Sequence, residues 1–279
     1  VSNHPVGNID GALTIRETDN INLGPVGGGL STDNGDITVS APGRIYITNL
    51  TAGTGGGTGD GDVYITSTYA GNEGINVGYI SATNDTVQLT ANSGAIVEYI
   101  SDGGVDIISN NLIISAANGI GSGDTLETQV TNLSATNTTS GNIQINNTDA
   151  GTGTTTINNL LNQDTGNNDA GGSITFTNTG GDLTIAGVVT NDDSGPITIT
   201  NNGGKVDVNS AVTVTTVAAA SGDENISITA SSPLNINASI TAPGNITLQA
   251  TDDGGDDDHI TVGANVQSTG GGLITFNAG

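Results

Sequence analysis

The densest group of side chains that could do chemistry is an acidic run bent at Gly254–Gly255 and followed by His259. Hard cations such as Ca²⁺ take about six to eight oxygen ligands, and a loop that bends at glycine can present several carboxylates at once. The run lacks the spacing of an EF-hand loop, so a solvated loop without a ligand is the alternative. The residues that we predict as a candidate calcium site are Asp252, Asp253, Asp256, Asp257 and Asp258.

Aromatic side chains form a second candidate. All tyrosines lie between positions 46 and 99, and Tyr46 and Tyr64 each stand between two aliphatic residues. In a strand this spacing turns the ring away from the core and towards solvent. If the two segments stack, the rings share one face, which suits a sugar ring or a partner protein. We predict Tyr46 and Tyr64 as a ligand or partner surface; the alternative is simply the high β propensity of tyrosine.

Residues for catalysis are scarce. Glycoside hydrolysis needs two carboxyl groups about 5–10 Å apart, one of them protonated. The segments 147–149 and 191–193 superficially resemble the aspartates of galacturonases, but the His-containing and Arg-x-Lys motifs of those enzymes are missing. The only histidines are His4 and His259, and neither lies in a nucleophile motif. We therefore predict no catalytic residues and a protein that is not an enzyme.

Composition excludes several classes of function. Among 279 residues there are 28 Asp and Glu but only 3 Lys and Arg, for a net charge of −25. Such a chain cannot neutralise phosphates, so we predict no nucleic-acid partner. No cysteine is present for a disulfide or a zinc–thiolate site. No apolar run approaches the ~20 residues of a membrane helix, so we predict no membrane insertion.

A short repeat positions these groups. It has the form glycine, any residue, aliphatic, polar, aliphatic. Clear copies are Gly35–Val39, Gly61–Ile65, Gly141–Ile145, Gly172–Phe176 and Gly181–Ile185. This period of two predicts a strand that is buried on one face and wet on the other. No segment of the chain carries the apolar spacing of a helix, so we predict an all-β fold.

Two architectures could bury such strands. An antiparallel sandwich would need recurrent two-residue hairpin turns, and many connections here are longer and simply polar. A parallel β-helix instead stacks like positions of successive coils. The pair Ile174 and Leu183 recurs at the same separation as Ile197 and Val206, which indicates two faces of one coil repeated by the next. We therefore favour a β-helical solenoid of about 12 coils, roughly 55–60 Å long at the spacing of adjacent strands.

The same pattern predicts the domain organisation. It covers residues 1–279 without a convincing boundary, so we predict a single β-helical domain. The least regular stretches, 51–60, 116–128 and 163–171, are expected to protrude as loops. Asparagine pairs such as Asn201–Asn202 are expected at turns or in side-chain ladders between coils.

The repeat resembles filamentous-haemagglutinin-type adhesins and related giant bacterial surface proteins. The resemblance rests on the Gly-x-Ile-Thr-Val pattern with Asn, Thr and Ala in the spacers, and on the segments 118–128, 133–135 and 140–143. It implies a right-handed parallel β-helix that is secreted to the cell surface and serves adhesion, a surface layer or a filament. Surface glycans or a neighbouring cell are then the implied partners. A carbohydrate-binding or carbohydrate-cleaving β-helix is the alternative.

The first and last triplets bear on assembly. The pattern has already begun at Leu13–Ile15 and is still running at Leu273–Phe276, and neither end offers an obvious cap. An open coil exposes strand edges and core side chains. We expect either further coils of the same repeat in a longer chain, or end-to-end self-association, which propagates into a filament when the contact does not close.

Overall fold

The chain folds as a parallel β-solenoid of about nine turns in a computed structural model. The structure describes residues 2–3, 7–9, 11–24, 29–54, 61–99, 102–151, 153–163, 165, 171–215, 223–252, 254 and 258–279, with the backbone alone for 2–3 and 7–9. Every regular element within these ranges is a strand, so the predicted all-β fold class is confirmed. No helix in this part of the chain is long and apolar enough to cross a membrane.

The strands, in chain order, are β1 Ser2–Asn3, β2 Gly7–Ile9, β3 Leu13–Arg16, β4 Ile21–Leu23, β5 Leu30–Thr32, β6 Ile37–Ala41, β7 Ile45–Ile47, β8 Leu50–Thr51, β9 Val63–Ser67, β10 Glu73–Val77, β11 Ile80–Ala91, β12 Ala95–Glu98, β13 Ile107–Ala116, β14 Leu126–Asn137, β15 Ile143–Thr148, β16 Thr154–Asn162, β17 Ile174–Thr179, β18 Asp182–Ile185, β19 Val189–Asn191, β20 Ile197–Asn201, β21 Val206–Val208, β22 Val212–Val214, β23 Ile226–Ala230, β24 Leu234–Ile236, β25 Ile240–Ala242, β26 Ile246–Ala250, β27 Ile260–Val262, β28 Val266–Ser268 and β29 Ile274–Ala278.

Contacts divide the chain into two compact units, Val1–Val130 and Thr131–Gly279. The prediction of a single domain stays a prediction. In the first unit, three parallel stacks form the faces of each coil. One contains β3, β6, β9 and the second halves of β11 and β13. The second contains β1, β4, β7, β10 and β12, and the third contains β2, β5, β8 and the first halves of β11 and β13.

The second unit repeats this arrangement. One stack runs through β15, β17, β20, β23, β26 and β29. Another runs from the start of β16 through β18, β21, β24 and β27. The third runs from β14 and the end of β16 through β19, β22, β25 and β28. Like residues of successive coils therefore lie directly above one another.

Aliphatic columns form the core because the triplets alternate in burial. Ile174, Ile197, Ile226 and Ile246 are successive register partners, and each is fully buried. Burying such a side chain contributes about 1.5–3 kcal/mol. The polar residue between two aliphatic ones, such as Thr175, is half-exposed. The sequence pattern predicted this division correctly.

The predicted count of about 12 coils is wrong. The step from Ile174 to Ile197 has the expected length, but the step from Ile143 to Ile174 is longer and the step from Ile226 to Ile246 is shorter. Coil length varies because the corners between strands accept loops of different length, whereas the paired strands do not. The described chain therefore makes about nine turns.

The predicted loops fall partly within strands. Thr51 belongs to β8, and residues 55–60 lie outside the described residues. Within 116–128, β13 ends at Ala116, Ile120 forms an isolated parallel bridge with Ile96, and β14 begins at Leu126. Of the stretch 163–171, positions 164 and 166–170 lie outside the described residues.

Asparagine ladders tie coils of the second unit together, which is one of the two roles that the sequence left open for Asn201. The Nδ2 of Asn147 donates to the Oδ1 of Asn178 at 2.9 Å, and the Nδ2 of Asn178 donates to the Oδ1 of Asn201 at 3.0 Å. All three side chains are buried. Asn201 closes the ladder by donating to the carbonyl oxygen of Gly204 at 3.0 Å. These amides satisfy backbone carbonyls at the corners, which would otherwise be buried without partners.

Candidate functional site

A lengthened corner gathers carboxylates in the first unit. In one coil only two residues, Gly78 and Tyr79, separate β10 from β11. In the next coil the corresponding connection joins Glu98, the last residue of β12, to Ile107, the first residue of β13, and its positions 100 and 101 lie outside the described residues. Glu98 and Asp106 flank this longer corner, and Glu127 follows the corner of the coil after it. We call these three residues the acidic corner; one carboxylate oxygen from each lies within 4.8 Å of the others.

Glu98 is half-exposed and occupies a register position that neighbouring coils fill with aliphatic residues. It pairs with Val77, which itself pairs with Ile47 and so continues an aliphatic column. Glu98 therefore continues a row in which earlier coils place Ile47 and Val77. Its Oε1 accepts a hydrogen bond from the backbone N–H of Asp102 at 3.2 Å. Its Oε2 is buried and makes no hydrogen bond with the part of the chain that the structure describes.

Asp106 is the most deeply buried member of the acidic corner. Its residue surface is 2% exposed, and its Oδ2 accepts a hydrogen bond from the backbone N–H of Glu127 at 2.9 Å. Burial raises the pKa of Asp106 to about 8, against the lowering effect of that N–H. The carboxylates of Glu98, Glu127 and Asp102 add to the rise. Burial therefore favours the protonated form of Asp106.

The pKa of Glu98 is raised to about 7. Burial is the main cause, opposed by the N–H of Asp102, while Asp124 and Glu127 push the pKa upwards. Two neighbouring carboxyl groups that titrate near neutrality share protons as a unit. Their charge state is therefore sensitive to pH in the physiological range.

The geometry of the acidic corner limits its chemistry. A general acid must approach the leaving oxygen of a substrate within about 3 Å, and the burial of Asp106 prevents such an approach in this conformation. Three carboxylate ligands are also fewer than the roughly six to eight oxygens that Ca²⁺ takes.

The predicted calcium residues lie elsewhere, and only part of that run is described. Asp253, Asp256 and Asp257 lie outside the described residues. Asp252 is exposed, and its Oδ1 accepts a hydrogen bond from the backbone N–H of Gly254 at 2.8 Å. Asp258 is half-exposed. The calcium site therefore stays a prediction.

Tyr46 and Tyr64 both point outward from their strands, but they lie in different stacks. Tyr46 pairs with Asn22 and Asn76, whereas Tyr64 pairs with Thr38 and Gln88. The two rings consequently do not share a column. Tyr64 donates a hydrogen bond to Asp62 at 2.7 Å, and this bond, with burial and the charge of Asp62, raises the pKa of Tyr64 to about 12.

Tyr46 instead belongs to a cluster that we call the tyrosine–arginine face, formed by Arg44, Tyr46, Tyr69, Glu73 and Tyr99. The rings of Tyr46 and Tyr99 meet edge to face, with centroids 5.8 Å apart. The Nη1 of Arg44 donates to the Tyr46 hydroxyl at 3.3 Å and lies 3.2 Å from Glu73 Oε2. The Arg44 guanidinium also lies 5.4 Å from the centre of the Tyr69 ring, within cation–π range.

A shallow concavity continues this face. It measures about 300 Å³ and is lined by Asn72, Glu73, Ala95, Val97, Asn118 and Ser122. Glu73 belongs to both features. Val97 is the register partner of Asn76, so the concavity adjoins the row that carries Tyr46.

Sequence reasoning missed both clusters. The signal for the acidic corner was present, since Ile96-Val97-Glu98 puts a carboxylate where the triplet pattern requires an aliphatic residue. For the tyrosine–arginine face the signal was the confinement of every tyrosine to residues 46–99. In neither case does spacing along the chain show which coils meet.

No known family model, no curated protein and no solved structure matches the chain.

Proposed function

We propose that this protein is an extracellular structural and adhesive β-solenoid, a scaffold that holds binding faces on stacked coils. One observation carries the proposal: fully buried aliphatic columns continue from coil to coil in strict parallel register. In such a stack each strand is hydrogen-bonded to the coils on either side of it. A stretching force applied to the two ends of the chain must therefore unfold the coils one after another. Stability of this kind is a sum of coil and neighbour terms.

Stretching single molecules from both termini tests the scaffold role. Asparagines that are hydrogen-bonded between adjacent coils stand from 20 positions apart, for Asn225 and Asn245, to 31 positions apart, for Asn147 and Asn178. At about 3.3–3.6 Å per extended residue, release of one coil should lengthen the chain by roughly 70–110 Å. We expect a series of such steps. One abrupt extension of the whole chain, or extension without measurable force, would contradict the proposal.

Location and adhesion need a test on cells. An antibody against the folded protein should label intact cells as strongly as permeabilised ones, and beads coated with the protein should attach to glycan-bearing surfaces. Labelling that requires permeabilisation would remove the extracellular part of the proposal. The net charge of −25 supports solubility outside a cell, because like-charged molecules repel.

Coil-on-coil assembly is part of the same proposal. Core-column positions of the coil β27–β29 are exposed: Val262 is 47% and Phe276 48% exposed, although their register partners Ile236 and Leu248 are fully buried. A further coil of the same kind, from a second copy or from more chain, would cover them. Sedimentation velocity over a range of protein and salt concentrations tests whether a second copy covers these residues. We expect end-to-end association that strengthens as salt screens the negative charge. A protein that stays monomeric under all these conditions would refute self-association.

A carbohydrate-active β-helix is the second candidate, and the tyrosine–arginine face favours its binding form. Cleavage is disfavoured because the only paired carboxyl groups with raised pKa values among the described residues are those of the acidic corner, where Asp106 is buried. We propose that the protein does not catalyse a reaction. Release of reducing ends or unsaturated products from polysaccharides above the rate of a buffer blank would overturn this.

A further inference from the structure

We propose that the tyrosine–arginine face is a binding site for neutral carbohydrate, with Asn76 and Arg44 as hydrogen-bond donors and Tyr99 as the stacking surface. The proposal deepens the adhesive role proposed above and rests on it. It assigns the ligand-binding surface to coils joined by β7, β10 and β12, and it replaces the pairing of Tyr46 with Tyr64 expected from the sequence.

Polar groups next to Tyr46 that lack hydrogen-bond partners point to a ligand. Asn76 is 6% exposed, and its Nδ2 makes no hydrogen bond with any described residue. The Nε of Arg44 and the Oδ1 of Asn22 are also buried without a hydrogen bond there. All three surround Tyr46, since Asn22 and Asn76 are its register partners and Arg44 precedes it by two positions. A buried polar group without a partner destabilises the fold. These three atoms are covered in the free protein, so a sugar reaches them only when the side chains above them turn aside, and it then pairs groups that the free protein leaves unpaired.

The mixture of donors and acceptors identifies the ligand chemistry. Asn76 and Arg44 offer N–H groups, whereas Asn22 offers a carbonyl oxygen. A sugar hydroxyl both donates and accepts, so neighbouring hydroxyls of one ring can satisfy both kinds of group. Tyr99 is 43% exposed, and its ring lies against the ring of Tyr46, to which these groups are neighbours. Exposed aromatic rings with polar groups at their edge suit the apolar face of a sugar.

Charge argues for a neutral sugar over an anionic one. Arg44 is the cation of the face, and Glu73 already neutralises it at 3.2 Å. The whole chain carries −25. An acidic sugar or a phosphate would therefore meet a repulsive field, while a neutral sugar would not.

The test is an NMR titration of the full chain with neutral oligosaccharides of glucose, galactose, mannose and N-acetylglucosamine at millimolar concentration. The ring signals of Tyr46 and Tyr99 should shift on addition of at least one of them. The ring of Tyr64, which lies in another stack, should not. A sulfated oligosaccharide of similar size should bind more weakly than its neutral counterpart.

Two variants and one control separate binding from folding. Tyr99→Ala removes an exposed ring and should lower affinity about tenfold, whereas Tyr64→Ala should change it by less than about twofold. Asn76→Val removes a buried amide that has no partner for its N–H among the described residues. It should leave stability unchanged or raised, since the unsatisfied group disappears, while affinity falls about three- to tenfold.

Opposite effects of Asn76→Val on stability and on affinity are the result that only a ligand site produces. Absence of binding by every sugar, or equal losses for Tyr99→Ala and Tyr64→Ala, would overturn the proposal. Stepwise unfolding under force reports on the scaffold independently. A stepwise record together with failure to bind sugar would sink this inference and leave the structural role standing.

Discussion

Replacing Asp106 by asparagine should make the protein more stable at alkaline pH and hardly change it in acid. The substitution keeps the shape of the side chain and its acceptor for the N–H of Glu127, but it removes the group that can ionise. Asp106 has a folded-state pKa of about 8 against an ordinary value of 3.8. A carboxyl group with a raised pKa contributes its full stability below the unfolded pKa, and that contribution is lost as pH rises towards the folded pKa.

The size of the effect follows from the shift. One pKa unit corresponds to 1.36 kcal/mol, so a rise from 3.8 to about 8 sets an upper bound of roughly 5–6 kcal/mol. Entry of water would screen the charge once it forms. We therefore expect Asp106→Asn to exceed the wild type by about 2–3 kcal/mol in the free energy of unfolding at pH 9, with a difference near zero at pH 4.

Urea unfolding followed by tyrosine emission measures this directly, because the chain has no tryptophan and every tyrosine lies in the first unit, which contains the acidic corner. Asp19→Asn, at an exposed carboxylate of the same unit, is the matched control for the removal of one negative charge. A difference between Asp106→Asn and the wild type that is the same at pH 4 and pH 9, or larger in acid, would refute the assignment of a buried, proton-holding carboxyl group.

Three further predictions address the ladder, a close contact and the calcium hypothesis. Asn178→Ala breaks two buried ladder bonds and should lower the free energy of unfolding in urea by about 2–4 kcal/mol. The control Asn237→Ala breaks an exposed ladder bond and should lower it by less than about 0.5 kcal/mol. Equal losses would contradict a stabilising role for the buried ladder. Gly187→Ala would drive a Cβ into a backbone carbonyl of the neighbouring coil and should lower the Tm or prevent folding, while Gly263→Ala, where a Cβ meets no atom closer than 3.3 Å, should be tolerated. Millimolar Ca²⁺ should raise the Tm by thermal scanning, and Asp257→Asn should reduce that rise; no rise in the wild type would remove the calcium site.

Period-two triplets made the fold predictable. In the triplet 174–176 the two outer residues must share one face of the strand. The regular return of such triplets predicted parallel stacking, and the register of Ile174 with Ile197 confirms it. The number of coils was not predictable in the same way. Corner loops add residues to a coil without adding a strand to the stack. The spacing from Ile174 to Ile197 is shorter than the spacing from Ile143 to Ile174, so its use as the period of the whole chain overestimates the number of coils.

The sites depended on register across those corners. Tyr46 and Tyr64 occupy the same place in their triplets, but they are closer in sequence than one full coil, since Tyr64 finds its register partners at Thr38 and Gln88. The two residues therefore fall on different faces. Glu98 was visible as a carboxylate at an aliphatic position. Its neighbours Asp106 and Glu127 could be found only from the coil-to-coil pairing that brings them into contact.

Cysteine cross-linking tests the parallel stacking most directly, because the chain contains no cysteine of its own. Thr175 and Thr198 are register partners on adjacent coils, and strands in a sheet lie about 4.8 Å apart, within the range of Cα separations that a disulfide spans. Thr184 belongs to a different stack, although a hairpin fold would bring it beside Thr175. Under mild oxidation, the double variant Thr175→Cys/Thr198→Cys should form an intramolecular disulfide in high yield by mass spectrometry, and Thr175→Cys/Thr184→Cys should not. The reverse result would show strands folding back on one another and would contradict the solenoid.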